Sequence, residues 1–332
     1  MQNEFKDKVV LVTGGTGTIG SKLVEEILSY QPKQVRVVSR DESKQYALLE
    51  KLRHPSNLRL FIGDIRDKER LLLAFRGVDI VFHAAALKHV PFCEYNPFEA
   101  VKTNIIGSQN VIDAALAHRV KKVVAISTDK VVNPVGVMGV SKLMMEKLFI
   151  NANYYKGDDP TIFSCVRFGN VTWARGSVFT LWKEQAARDR AIKVTDEQMT
   201  RFMMSPADAT HLVCEAARHM RGGEVFIFKM PAIRMVDAAR LFLEKYHPNS
   251  SVRIDVIGNR GGEKTHEELF CGGDSYDQVL EGERMFIIIP RVPIYELEDL
   301  PQIPYAGFRE VLMLESYSSR DHVSIEEVAK IM

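Results

Sequence analysis

Cysteine is scarce in this chain of 332 residues: the four thiols, Cys93, Cys165, Cys214 and Cys271, stand far apart, and no C-x-x-C pair occurs. That excludes a zinc knuckle and a dithiol redox motif, and leaves reduced, structural thiols as the expectation. An excess of either charge is missing too. Lysine plus arginine number 44 against 43 aspartate plus glutamate, a formal net charge of +1, so nothing calls for nucleic acid or an anionic membrane as partner. No apolar run reaches the ~20 residues of a membrane helix. The opening MQNEFKDKVVLVTGG runs straight into a strand pattern without the apolar segment of a signal peptide. A soluble, cytoplasmic protein is expected. What is present, 46% hydrophobic and 26% charged residues, suits a globular chain with one large domain and a smaller one.

Short apolar runs alternate with helical periodicity through the first half, which implies βαβ units and a parallel sheet. Lys8 to Thr13, Gln34 to Ser39, Leu58 to Ile62, Ile80 to Ala84 and Lys122 to Ser127 are the candidate strands, with Val166 to Phe168 as a sixth. They are rich in Val, Ile and Leu on both faces, as strands covered on both sides are. Gly20 to Tyr30, Lys68 to Phe75, Pro97 to Ala117 and Ser141 to Tyr155 read as helices. The expected fold is α/β, a doubly wound parallel (Rossmann) sheet with a smaller α/β substrate-binding region. Residues 1–168 with 200–245 would form the first part, and 169–199 with 246–332 the second.

Thr13-Gly14-Gly15-Thr16-Gly17-Thr18-Ile19-Gly20 follows the first strand and opens a helix. Glycines at 14, 17 and 20 allow a tight turn and close approach, and the helix amino terminus offers free N–H groups to a pyrophosphate. The second strand ends in Ser39-Arg40-Asp41. Ser39 and Arg40 can accommodate a 2′-phosphate, so NADP is expected over NAD, with Asp41 the residue that argues the other way. The bland alternative for Arg40 is a solvated surface charge.

The segment Ser127 to Lys142, STDKVVNPVGVMGVSK, follows the fifth strand, where doubly wound sheets place catalytic groups. It resembles the active-site segment of the short-chain dehydrogenase/reductases, and the glycine spacing matches their extended branch. That family carries Tyr-x-x-x-Lys where this chain has Met138-x-x-x-Lys142. Methionine has no proton to exchange, which leaves Asp129 and Lys130 as acid and base, a pairing better suited to elimination than to oxidation alone. By the same resemblance Asp64 and Ile65 would meet the adenine, Ala84, Ala85 and Ala86 would let the cofactor lie close, and Lys142 would contact the nicotinamide ribose.

Further blocks narrow the resemblance to UDP-N-acetylglucosamine 4,6-dehydratases of the polysaccharide-biosynthesis branch: Ala86 to Pro91, Arg167 to Val171, Arg175 to Val178, Met199 to Phe202, and Gly262 to Lys264 with His266 to Glu268. Gly261 and Trp173-Ala174 depart from the family pattern. The implied chemistry is an internal redox cycle: hydride leaves C4, water is eliminated across C5 and C6, and hydride returns to C6. Thr128 would hydrogen-bond the C4 oxygen. Lys130 would be the C5 base, provided burial and Lys142 pull its pKa down, and Asp129 the C6 acid, needing a raised pKa. The C4 proton would go to a water relay, to Lys142 or to one of the Asp129/Lys130 pair.

Arg175 and Arg260 are candidate diphosphate ligands, and the resemblance adds Gly176, Ser177 and Val178 as substrate-binding residues. Asn170 is a nucleotide contact, Glu263 a ribose acceptor, and Lys88 and His89 could face the sugar. Arg201 would buttress the substrate loop. His266 beside Glu263 and Glu267 reads as a solvated helix face, and no metal is expected.

The expectation is therefore an NADP-dependent UDP-N-acetylglucosamine 4,6-dehydratase serving surface glycan or pseudaminic acid synthesis. Methionine at 138 favours retention at C5, with inversion the alternative. A UDP-sugar 4-epimerase and a noncatalytic NADP-sensing module are the other readings. A homo-oligomer, a dimer or an assembly of dimers, is implied by resemblance.

Overall fold

Parallel pairing gathers the alternating pattern into one large sheet. The structure is a computed structural model that describes residues 3–248, 250–258, 261–271, 276–290, 305–311 and 316–332. Strands β1 (Val9–Thr13), β2 (Gln34–Ser39), β3 (Leu58–Ile62), β4 (Ile80–His83), β5 (Lys122–Ile126) and β6 (Ile162–Arg167) lie in the order β3-β2-β1-β4-β5-β6. Strand Val225–Phe228 continues parallel beside β6. The doubly wound arrangement expected from the sequence is present. β1 and β4 are buried along their whole length, whereas edge strand β3 is only partly so, as two-sided helical cover of a sheet centre requires.

Connecting helices are α1 (Thr18–Ser29), α2 (Glu42–Lys51), α3 (Lys68–Ala74), α4 (Val90–Tyr95), α5 (Pro97–Ala100), α6 (Gly107–Ala117), α7 (Val137–Tyr155) and α8 (Val178–Asp189). α2 escaped the periodicity reading because it buries only Gln45 and Leu48. The single helix expected over Pro97 to Ala117 is broken by a π-helical stretch, Val101–Ile106, which carries the buried Asn104. The wide turn shifts helical register, and such turns are frequent at functional sites.

The region from 246 onward, expected in the substrate-binding part, sends strands Tyr276–Glu281 and Met285–Pro290 back to the large sheet, antiparallel beyond Val225–Phe228. A second core gathers Phe179, Trp182, Ile192 and Phe242. Trp173, in a left-handed conformation at φ 56°, closes it with its indole N–H on the Met332 carbonyl, 3.0 Å away. This core seats α8, whose first turn reaches the cleft described below.

Candidate active site

β1 lies between β2 and β4, so the chain winds away in opposite directions on its two sides and opens a crevice at the carboxyl ends of β1 and β4. A cleft of about 720 Å³ occupies it and extends past the ends of β5 and β6. Gly14 has φ +66°, and a Cβ there would stand 2.7 Å from the Ala85 backbone nitrogen. The turn after β1 can thus touch the loop after β4 only as glycine. Gly17 caps α1 without any side-chain bond to its first N–H groups, which leaves them for an anionic ligand. This cradle fits a dinucleotide pyrophosphate.

Gly14, Gly17, Thr18, Ile19, Gly20, Ala84 and Ala86 line the cleft. Thr16, Ser39 and Ile65 are buried; Ser39 holds its hydroxyl to Gln45 Nε2 at 3.0 Å. Arg40 and Lys44 line the same cleft. Asp41 caps α2, accepting from the Lys44 N–H at 3.0 Å and pairing with its ammonium. Arg40 sits 3.6 Å from Asp64, which binds Arg66 more closely at 2.7 Å. Burial pushes the Asp64 carboxyl up, but Arg66 and Arg40 outweigh it and hold it below its ordinary range. Lys44 was not singled out by the sequence, since only the cap geometry reveals where it points.

At the end of β5, Thr128 and Lys130 line the cleft while Asp129 is fully buried behind them. One Asp129 oxygen, Oδ1, accepts from Thr128 Oγ1 at 2.8 Å and from Lys130 Nζ at 2.9 Å. Its other oxygen has no hydrogen-bond partner among the described residues. Lys130 Nζ also reaches Asn170 Oδ1 at 3.3 Å and the buried Glu267 Oε1 at 3.5 Å. Burial lowers the Lys130 ammonium, but Asp129 and Glu267 together more than reverse this and leave its pKa raised. The lowered Lys130 expected from sequence is thereby corrected: two carboxylates face it, and the second was invisible. Glu267 is also no solvated helix face. It lies just before strand Glu268–Cys271, 3.2 Å from Lys264 and 3.9 Å from Arg201, and His266 contacts Thr200 Oγ1 at 2.8 Å.

Met138, in the first turn of α7, lines the cleft and packs with Cys93 and Ala100. Lys142, one turn on, donates to the Ile126 carbonyl at 2.5 Å and lies 3.2 Å from Met145 sulfur. Burial brings its pKa down to about 8. Beneath the site Asn104 bonds both the N–H and the carbonyl of Leu87, at 2.8 and 3.0 Å, and the Ser141 hydroxyl at 2.9 Å. It ties the loop after β4 to α7, and sequence periodicity gave no sign of it.

Of the expected sugar-nucleotide contacts, Lys88, His89, Asn170, Arg175, Gly176, Ser177 and Val178 all line the cleft. Lys88 Nζ donates to the Arg175 carbonyl at 2.9 Å, and the Arg175 N–H donates to Thr18 Oγ1 at 3.1 Å; the two halves of the cleft meet there. Burial holds the Lys88 ammonium below its ordinary value, and burial with Lys88 does the same to His89. Arg201 is buried and donates to the carbonyls of Lys264 and Thr265, at 2.9 and 3.2 Å. These bonds tie Arg201 to the segment before Glu267, outside the cleft lining. Glu263 is outside the cleft lining, and Arg260 lies outside the described residues.

A profile described as "Polysaccharide biosynthesis protein" matches residues 10–289. The chain belongs to this polysaccharide biosynthesis protein family. Within it, the chain is 43% identical over 296 residues to a UDP-N-acetylglucosamine 4,6-dehydratase (inverting) of Campylobacter jejuni, covering 89% of this chain and 86% of that protein. It is also 38% identical over 336 residues to a UDP-glucose 4-epimerase of Rickettsia canadensis, covering 99% and 96%. Among solved structures, Pen from Bacillus thuringiensis superposes with a TM-score of 0.90 at 44% identity, covering 98% of this chain and 97% of Pen. The resemblance to the polysaccharide-biosynthesis branch of the extended short-chain dehydrogenase/reductases holds. Among the described residues of this family member, no helix is long and apolar enough to cross a membrane.

Proposed function

We propose that the protein is an NADP-dependent UDP-N-acetylglucosamine 4,6-dehydratase that inverts C5. The carrying observation is the Thr128-Asp129-Lys130 cluster, an acid and a base 2.9 Å apart on the wall of a cleft that begins at the glycine turn. The 43% identity to proteins named as inverting dehydratases supports inversion over the retention favoured from Met138 alone. A nicotinamide held by the Gly14 turn, with Arg40 and Lys44 toward a 2′-phosphate, would accept hydride from C4 and later deliver it to C6.

The chain's own residues handle the protons. Thr128 positions the C4 oxygen. The Met138 thioether carries no proton, so Lys142, brought to about 8 by burial, receives the C4 hydroxyl proton. A C4 ketone acidifies the C5 proton, and Lys130, made neutral by passing its own proton to Asp129 2.9 Å away, removes it. Asp129, buried behind Thr128, passes a proton through that hydroxyl to the departing C6 oxygen, which leaves as water. As hydride reaches C6, C5 takes a proton from solvent water on its opposite face. Lys88, Arg175 and Ser177 would hold the diphosphate and sugar. Exposed Phe92, Tyr95, Phe98, Val140 and Met144 on α4, α5 and α7 are consistent with burial in a homo-oligomer.

The test is incubation with UDP-N-acetylglucosamine followed by proton NMR, first in water and then in deuterium oxide. A C6 methyl doublet with ring couplings of the inverted C5 is expected. Asp129→Asn and Lys130→Ala should each lower its formation by about 10²–10⁴-fold. Full activity in either variant would remove the assigned roles. The second reading, a 4-epimerase, is favoured by the 38% identity spanning 99% of the chain; it would give a galacto-configured product without the methyl signal.

A further inference from the structure

We propose that Glu267 is a positioning residue of this site, bracketing the Lys130 ammonium opposite Asp129 and setting the pH at which Lys130 becomes a base. The inference rests on the dehydratase reading for the word base; the bracket itself rests on geometry. Lys130 Nζ lies 2.9 Å from Asp129 Oδ1 and 3.5 Å from Glu267 Oε1. Asn170 Oδ1 is a neutral third contact at 3.3 Å. The Arg201 guanidinium faces the same pair from strand Thr200–Met204, 3.9 Å from Glu267.

Glu267 is 2% exposed, so its charge acts with little screening by solvent. It is held in place from three sides. Its N–H donates to the Ser319 hydroxyl at 2.9 Å, Lys264 pairs with Oε2 at 3.2 Å, and Arg201, itself fixed on the carbonyls of Lys264 and Thr265, lies 3.9 Å from Oε1. Lys264 is itself anchored on the Val132 carbonyl at 2.7 Å, in the turn that follows Lys130. A carboxylate so placed fixes the ammonium's position and also opposes its deprotonation. Lys264 and Arg201 take up part of that field, so the Lys130 proton affinity is a balance that Lys264 and Glu267 move in opposite directions.

Competitive acetylation by acetic anhydride at stepped pH, with the Lys130 peptide read by mass spectrometry, gives the Lys130 titration midpoint without any turnover. Glu267→Gln should lower that midpoint by about one pH unit or more. Glu267→Asp should restore most of the shift, and Lys264→Gln should move the midpoint up. Should Glu267→Gln not fold, the upward shift in Lys264→Gln decides. An unmoved midpoint in both variants overturns the proposal. In the methyl-forming assay the acidic limb of kcat should follow the acetylation midpoint, with KM little changed. A midpoint that moves while the limb stays put would leave the bracket standing and overturn Lys130 as the base, as would absence of product from the unaltered protein.

Discussion

Replacing Glu146 with glutamine tests how α7 is held. Glu146 lies one turn beyond Lys142 on α7 and is 1% exposed. Its carboxylate accepts from Arg167 Nε at 2.9 and 3.2 Å and from Nη2 at 2.7 Å, while Arg167 Nη1 donates to the Leu269 carbonyl at 3.0 Å. The pair therefore joins α7, β6 and the strand that follows Glu267. Glutamine keeps the shape and removes the charge that faces a guanidinium only 8% exposed. Breaking one side of a buried pair costs about 3–5 kcal/mol. At roughly 2 °C per kcal/mol for a chain of this size, Tm should fall by about 6–10 °C. Urea unfolding followed by circular dichroism would measure the same loss. Glu146→Leu combined with Arg167→Met should be less destabilised than Glu146→Gln, because both charges of the buried pair are removed together. A loss under about 1 kcal/mol for Glu146→Gln would refute the reasoning, since that is the worth of a solvated surface pair.

Gly14→Ala should abolish nucleotide binding, measured by quenching of NADPH fluorescence, because its Cβ would meet Ala85 backbone at 2.7 Å in a left-handed turn; retained binding would show that the two loops can part. Arg40→Ala with Lys44→Ala should weaken NADP by about 10–100-fold, as expected for charge-assisted bonds to a phosphate. NAD affinity should stay nearly constant, and equal losses for both would remove the 2′-phosphate assignment. Lys142 has its folded pKa lowered from 10.5 to about 8, so between those values the unfolded chain binds the extra proton and stability rises with pH. The stability gained in Lys142→Met should accordingly be largest below pH 8 and vanish above about 10.5, measured by urea midpoints across pH; a pH-independent gain would contradict the burial argument.

Much of the cofactor half was legible from local pattern. β2 and β3 lie where the apolar runs put them, and Gly14, Gly17 and Gly20 fall between strand and helix as their spacing requires. Met138 and Lys142 stand one helical turn apart on the same wall, as an i, i+4 pair must. The misses share a cause. α2 has too thin an apolar face to declare itself, and the π stretch at Val101–Ile106 changes register without any residue type that marks it. Lys44 acquires its direction from a cap. Glu267 sits in a run of charged residues that looks solvent-facing until the segment before strand Glu268–Cys271 is folded against Lys130 and Arg201.

The chain's own residues determined the sheet, the nucleotide turn and the pairing of Asp129 with Lys130, because each arises from neighbours within a few positions and from the periods of strand and helix. They also determined that position 138 has no proton to give. Only the tertiary structure decided that Asp129 lies buried behind Thr128 and accepts its hydroxyl hydrogen, and that Lys130 faces a second carboxylate. Proton affinity depends on charges within a few ångströms, and chain segments remote in sequence supply those charges only once the sheet has folded.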